Sequence, residues 1–175
     1  MSTNNMLLTI GAFVILTSIL HNIYGILGTT GDDIAEAQDM ILANTIATSY
    51  LEIAQGLAFD HLTDTSDIAI GNPALLTDPE TLGPEGSEED SVGGFTDFDD
   101  FNGLVLEKRA TGSDKRFKTS FRVSYVDPDN VDAVSNIRTF VKRIDLRTWR
   151  SFPPPEGFAT DTLRMSLAMG YFHFD

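Results

Sequence analysis

The chain has 175 residues, no cysteine, and 26 Asp and Glu against 12 Lys and Arg, for a formal net charge of −14. The length suits one domain with a modest core. The lack of cysteine excludes disulfide staples and thiol chemistry, and the acidic excess argues against a nucleic-acid phosphate partner. Charge is also segregated along the chain. Residues 1–107 hold eighteen acids and no base, whereas residues 108–175 hold all twelve bases and eight acids, a net of +4. Halves of opposite sign suit either contact between copies, basic face on acidic face, or two separately solvated surfaces.

The first predicted element is residues 6–27, MLLTIGAFVILTSILHNIYGIL, an uncharged run whose only titratable side chains are His21 and the phenol of Tyr24. At about 1.5 Å per residue, a helix of this length spans a bilayer core. Its apolar side chains are the candidate assembly surface: Met6, Leu7, Leu8, Ile10, Phe13, Val14, Ile15, Leu16, Ile19, Leu20, Ile23 and Leu27. A cleaved signal peptide has a basic start and a shorter apolar run. Here the start is Met1-Ser2-Thr3-Asn4-Asn5 and the run is long, so a retained segment is expected. No Lys or Arg flanks it closely enough to orient it by the positive-inside rule.

Gly25, Gly28 and Gly31 follow at three-residue spacing. Each weakens a helix by roughly 1 kcal/mol relative to Ala, and the spacing also suits close approach of helices in lipid. They form the candidate helix-melting hinge, where the helix is open to interruption. Asp32, Asp33 and Glu36 suit the positive end of a helix dipole, so a restart is expected near Asp32. From there to about Phe59, Ala35, Leu42, Ala43, Ile46, Tyr50, Leu51 and Ala54 share an apolar side. This half is predicted to lie on a globular domain, whereas the first half needs lipid or other copies of itself.

Residues 60–103 read as an acidic loop region, with Asn72-Pro73, Asp78-Pro79, Gly83-Pro84 and Gly93-Gly94 as turn signals. Phe95, Phe98 and Phe101 are spaced to share one side of a helical turn and to pin the excursion to the core. From Arg116 the period becomes two. Phe117, Thr119, Phe121, Val123 and Tyr125 alternate with Arg116, Lys118, Ser120, Arg122 and Ser124, which predicts a half-buried strand with a basic outer face. Asp127-Pro128-Asp129-Asn130 is a turn. Further strands are expected at about 137–149, with Phe140, Ile144 and Leu146 on one parity, and at about 162–174. Residues 104–110 suit a shorter first strand. Serial strands with short connections favour an antiparallel meander.

No constellation for catalysis emerges. His21, His61 and His173 have no metal-ligand spacing, and no phosphate loop or nucleophile elbow is present. Asp127, Asp129, Asn130 and Asp132 resemble the start of a calcium loop, without its Gly and distal Glu. Turn chemistry is the competing reading. A second acidic set, Glu88, Glu89, Asp90, Asp97, Asp99 and Asp100, is a weaker cation candidate. No cofactor is expected, calcium being the candidate cation, and the chain is not expected to be an enzyme.

The order of long helix, loop and strands resembles the type IV pilin and pseudopilin superfamily. At motif level the resemblance lies in Tyr125-Val126-Asp127-Pro128-Asp129, Phe140-Val141-Lys142-Arg143-Ile144-Asp145-Leu146 and Asp161-Thr162-Leu163-Arg164-Met165-Ser166-Leu167. The departures are that no leader motif with its basic residue and Gly is visible and that residues 1–31 lack the family's early Glu. Asn5 offers a hydrogen bond but no charge. The resemblance implies an α+β fold, a long N-terminal α-helix packed on a C-terminal antiparallel β-sheet of three to four strands. Its divisions would be residues 1–31, 32–59, 60–103 and 104–175. It implies a structural subunit of an extracellular filament that leaves the inner membrane and polymerises as a helical homo-oligomer, served by pilus or secretion assembly machinery. A pseudopilin of a type II secretion-like machine and a single-pass membrane-anchored binding domain are the alternatives.

Overall fold

The computed structural model describes residues 3–65, 72–84, 92–154 and 162–171. By its internal contacts the chain divides into two compact units, Met1–Ile41 and Leu42–Asp175. One helix, α1 (Thr3–Gln55), carries the whole N-terminal region. It is unbroken at Gly25, Gly28 and Gly31, so neither the interruption at the glycines nor the restart near Asp32 is present. Glycine lowers helix propensity but keeps both backbone partners, so the i to i−4 ladder survives three of them. Thr29 and Thr30 add hydroxyl bonds back to the Ile26 carbonyl at 3.0 and 2.8 Å.

In the unit Leu42–Asp175, α1 buries Ala43, Ile46, Ala47, Tyr50, Leu51 and Ala54, a stripe at spacings of three and four. Ala35, expected on that apolar side, is exposed. After α1 come α2 (His61–Thr65) and 3-10 helices at Pro73–Leu75, Val92–Gly94 and Phe98–Phe101. Phe95, Phe98 and Phe101 are buried as their spacing suggested. Phe95 and Phe101 meet edge to face at 5.0 Å, and Phe101 lies 5.1 Å from Phe121.

The sheet has five antiparallel strands: β1 (Val105–Arg109), β2 (Arg116–Asp127), β3 (Asn130–Val134), β4 (Val141–Phe152) and β5 (Thr162–Gly170). The main order is β1-β2-β4-β5, with β3 paired to the end of β2. The expected three to four strands are therefore joined by β3. Its hydrophobic pattern is weak because Val131 and Val134 are both exposed. Backbone pairing through Val126↔Val134 holds it instead. Strand β4 begins at Val141 rather than near Ile137, because Ser135 Oγ turns the chain by accepting from Ile137 N at 3.2 Å.

The inward parity of β2 matches the alternation, with Phe117, Thr119, Phe121, Val123 and Tyr125 all buried. Opposite them in β4 lie Ile144, Leu146 and Thr148, paired as Val123↔Ile144, Phe121↔Leu146 and Thr119↔Thr148. Leu163, Met165, Leu167 and Met169 of β5 pack on the same core. The buried part of α1 closes this layer, and Tyr50 stands edge to face with Phe121 at 5.2 Å.

Candidate functional site

The candidate assembly surface lies in the unit Met1–Ile41. Met6, Leu7, Leu8, Ile10, Phe13, Val14, Ile15, Leu16, Ile19, Leu20, Ile23 and Leu27 are all exposed, from 45% at Leu20 to 73% at Leu8. They cover every side of α1 rather than one stripe. A helix that is apolar all round belongs in lipid or inside a bundle. By length and composition α1 can cross a membrane. A Cβ added at Gly25, Gly28 or Gly31 would meet nothing within 4 Å, so among the described residues no close contact requires these glycines.

Asp127, Asp129 and Asp132 do not converge. Asp127 Oδ1 accepts from Asp129 N at 3.0 Å and Asn130 Oδ1 from Asp132 N at 3.3 Å, which is the side-chain-to-backbone bonding of a turn. Among the described residues no group of three or more His, Cys, Asp or Glu is arranged to hold a metal ion. Glu88, Glu89 and Asp90, like His173, lie outside the described residues.

The other acids of that second set take part in an arrangement that sequence reasoning missed. Lys142, on β4, is fully buried together with Asp60, Asp97, Asp99 and Asp100. Its ammonium donates to Phe59 O at 2.9 Å, to Asp60 Oδ2 at 2.8 Å and to Asp99 Oδ1. All three donors of the ammonium are thereby used. The rings of Phe59 and Tyr125 lie 4.8 and 5.3 Å from Nζ. A signal was available in the sequence: Lys142 shares the parity of Phe140, Ile144 and Leu146, the inward face of its strand.

The two carboxylates on Lys142 differ. Asp60 accepts from Leu62 N, Thr77 N and Thr77 Oγ1 at 3.0–3.2 Å, and from Tyr125 Oη at 3.4 Å. Burial opposes its charge, but the Lys142 ammonium and these bonds outweigh burial and hold its carboxyl below the usual range. Asp99 has one oxygen on Lys142, while its Oδ2 accepts no donor. Burial, aided by the Asp60 charge, raises its carboxyl despite Lys142. Asp97 caps the 3-10 helix by accepting from Asp99 N at 2.8 Å. Burial and the neighbouring Asp99 and Asp100 charges push the Asp97 carboxyl up to about 8. Asp97 Oδ2 and Asp99 Oδ2 are both buried without a donor, and both carboxyls are raised toward the neutral form. Burial and the charges of Asp60 and Asp99 also raise the Tyr125 phenol, which donates to Thr77 O at 2.9 Å.

No known family, curated protein or solved structure matches this chain. What the fold defines is an architecture: a long N-terminal helix, apolar in its first half, whose second half packs on an antiparallel sheet. That arrangement is pilin-like.

Proposed function

We propose that this chain is a structural subunit of an extracellular type IV pilus-like filament, a member of the pilin superfamily that polymerises through residues 6–27 and performs no catalysis. One observation carries the reading: an uncharged run long enough to cross a bilayer is exposed on all sides of a helix that continues into a folded domain. Leaving such a run in water costs tens of kcal/mol at about 25 cal/mol per Å². The subunit therefore waits in the inner membrane and passes directly from lipid into a bundle of like helices. A simple anchor explains the exposed apolar run equally well, but gives no reason for the same helix to run on without a break to Gln55 and form part of the folded domain.

The partners are other copies of the chain, the membrane before assembly, and the machinery that extracts and stacks subunits. Electron microscopy of sheared surface material, with mass spectrometry of the mature N-terminus, tests this. Thin filaments containing the chain are expected. A chain confined to the membrane fraction would overturn the filament reading in favour of the single-pass anchor, and short periplasmic polymers would favour the pseudopilin.

A further inference from the structure

We propose that Lys142 and Asp99 become joined by an intramolecular amide bond between Nζ and Cγ. The proposal rests on the buried cluster alone and stands or falls separately from the filament reading. Its elements are an amine and a carboxyl in contact, a second carboxylate on the same amine, a third carboxyl beside the first, and no water-exposed member.

The residues divide the work by their partners. Asp99 is the electrophile. Its Oδ1 is held on Nζ, whereas its Oδ2 accepts no donor and is the oxygen able to leave. Asp60 is the base at Nζ, 2.8 Å away, and its other hydrogen bonds fix it in place as a carboxylate. Asp97, buried beside Asp99 with its Oδ1 on Asp99 N at 2.8 Å and its Oδ2 unpartnered, is the acid that protonates the leaving oxygen. In the net step the Nζ–Cγ bond forms and the Cγ–Oδ2 bond breaks. Two protons leave Nζ, two join Oδ2, and Oδ2 departs as water. Exchange within the cluster restores Asp60 and Asp97. An ammonium and a carboxylate become a neutral amide and one water, so no oxidant, reductant or cofactor is consumed.

Physical chemistry favours the step in this setting. Holding the two groups in contact removes the entropic cost of bringing them together. A dry pocket penalises both charges, and the amide removes both. Phe59 and Tyr125 cover Nζ on their ring faces and exclude the water that would reverse the bond. The bond would close a loop between residues 43 apart in sequence. A chain without cysteine has no disulfide to perform that service.

The test is the intact mass of the full chain, purified in detergent, followed by a digest. The expected result is a mass one water below that of the sequence, with the fragments carrying Asp99 and Lys142 recovered as one branched species. Lys142→Arg and Asp99→Ala should each restore the full sequence mass. Asp97→Asn, which keeps the oxygen that caps the 3-10 helix, should still fold with a cooperative melt yet leave most molecules unlinked. Should the first two variants fail to fold, the branched fragment from the unaltered chain decides by itself. Unaltered chain at its full sequence mass with the two fragments separate overturns the proposal and leaves Lys142 as a buried ion pair. So does a water loss that maps to any other residues.

Discussion

Replacing Gly25, Gly28 and Gly31 together with Ala tests whether the glycines are there to melt. Each change favours the helix by about 0.8–1 kcal/mol. No clash offsets this, since a methyl at any of the three has nothing within 4 Å. The helix through residues 25–31 therefore gains roughly 3 kcal/mol, a factor of about 150 in the equilibrium between helical and melted forms. Two measurements separate the premise from the conclusion. Hydrogen exchange on the detergent-solubilised subunit should slow around residues 25–35 by up to about 100-fold. If the glycines melt on assembly, electron microscopy of sheared filaments should then show reduced yield or an altered rise per subunit, because a subunit would have to melt a more stable helix to enter the polymer. Slower exchange with normal filaments of unchanged rise would refute the hinge. Unchanged exchange would refute the stability argument beneath it.

Two further outcomes concern the folded unit. Thr119 and Thr148 are fully buried cross-strand neighbours whose hydroxyls meet at 2.9 Å. Changing either one to Val strands the other hydroxyl and should cost about 1–3 kcal/mol, while the double Val variant should cost clearly less than the sum; additive losses in denaturant titrations would show that the bond contributes little. Stability should also depend on the proton held by Asp97. Its carboxyl is raised to about 8, so between roughly pH 4 and 8 the folded chain binds a proton that the unfolded chain does not. Stability therefore falls as pH rises through that window, and Asp97→Asn should flatten the slope. Burial is the largest cause of the shift, so the slope survives amide formation at Asp99. While Lys142 remains an ammonium, Asp60 has the opposite sign: its contribution is present above the ordinary carboxylate range and is lost as pH falls through its lowered folded value. Melting temperatures of the unaltered and Asp97→Asn chains from pH 4.5 to 8.5 check this, and a melting temperature that rises steadily across the range contradicts it.

Most of the fold was legible because it rests on periodicity. The uncharged run at 6–27, the apolar side from Leu42 to Ala54 and the alternation from Phe117 to Tyr125 each follow from how side chains project from a helix or a strand. The continuity of α1 was not legible. Propensity marks glycine as weak, but its backbone keeps both hydrogen-bonding groups, and among the described residues nothing competes for them at Gly25, Gly28 or Gly31. Strand β3 escaped for a related reason, since its pairing is through backbone while both its valines face solvent.

The Lys142 cluster shows where local reading stops. Lys142 lies on the parity of Phe140, Ile144 and Leu146, a signal the sequence reading passed over, and composition alone supplied the acids. What makes an interior ammonium tolerable is opposite charge brought within hydrogen-bonding distance. Those carboxylates come from positions 82 and 43 residues earlier in the chain. Sequence by itself thus determined that the N-terminal run must leave water and that the strands must bury one face. Only the tertiary structure decided that the buried face encloses a lysine and which acids accept its hydrogen bonds, because long-range packing sets both the partners and the dry surroundings that give them chemistry.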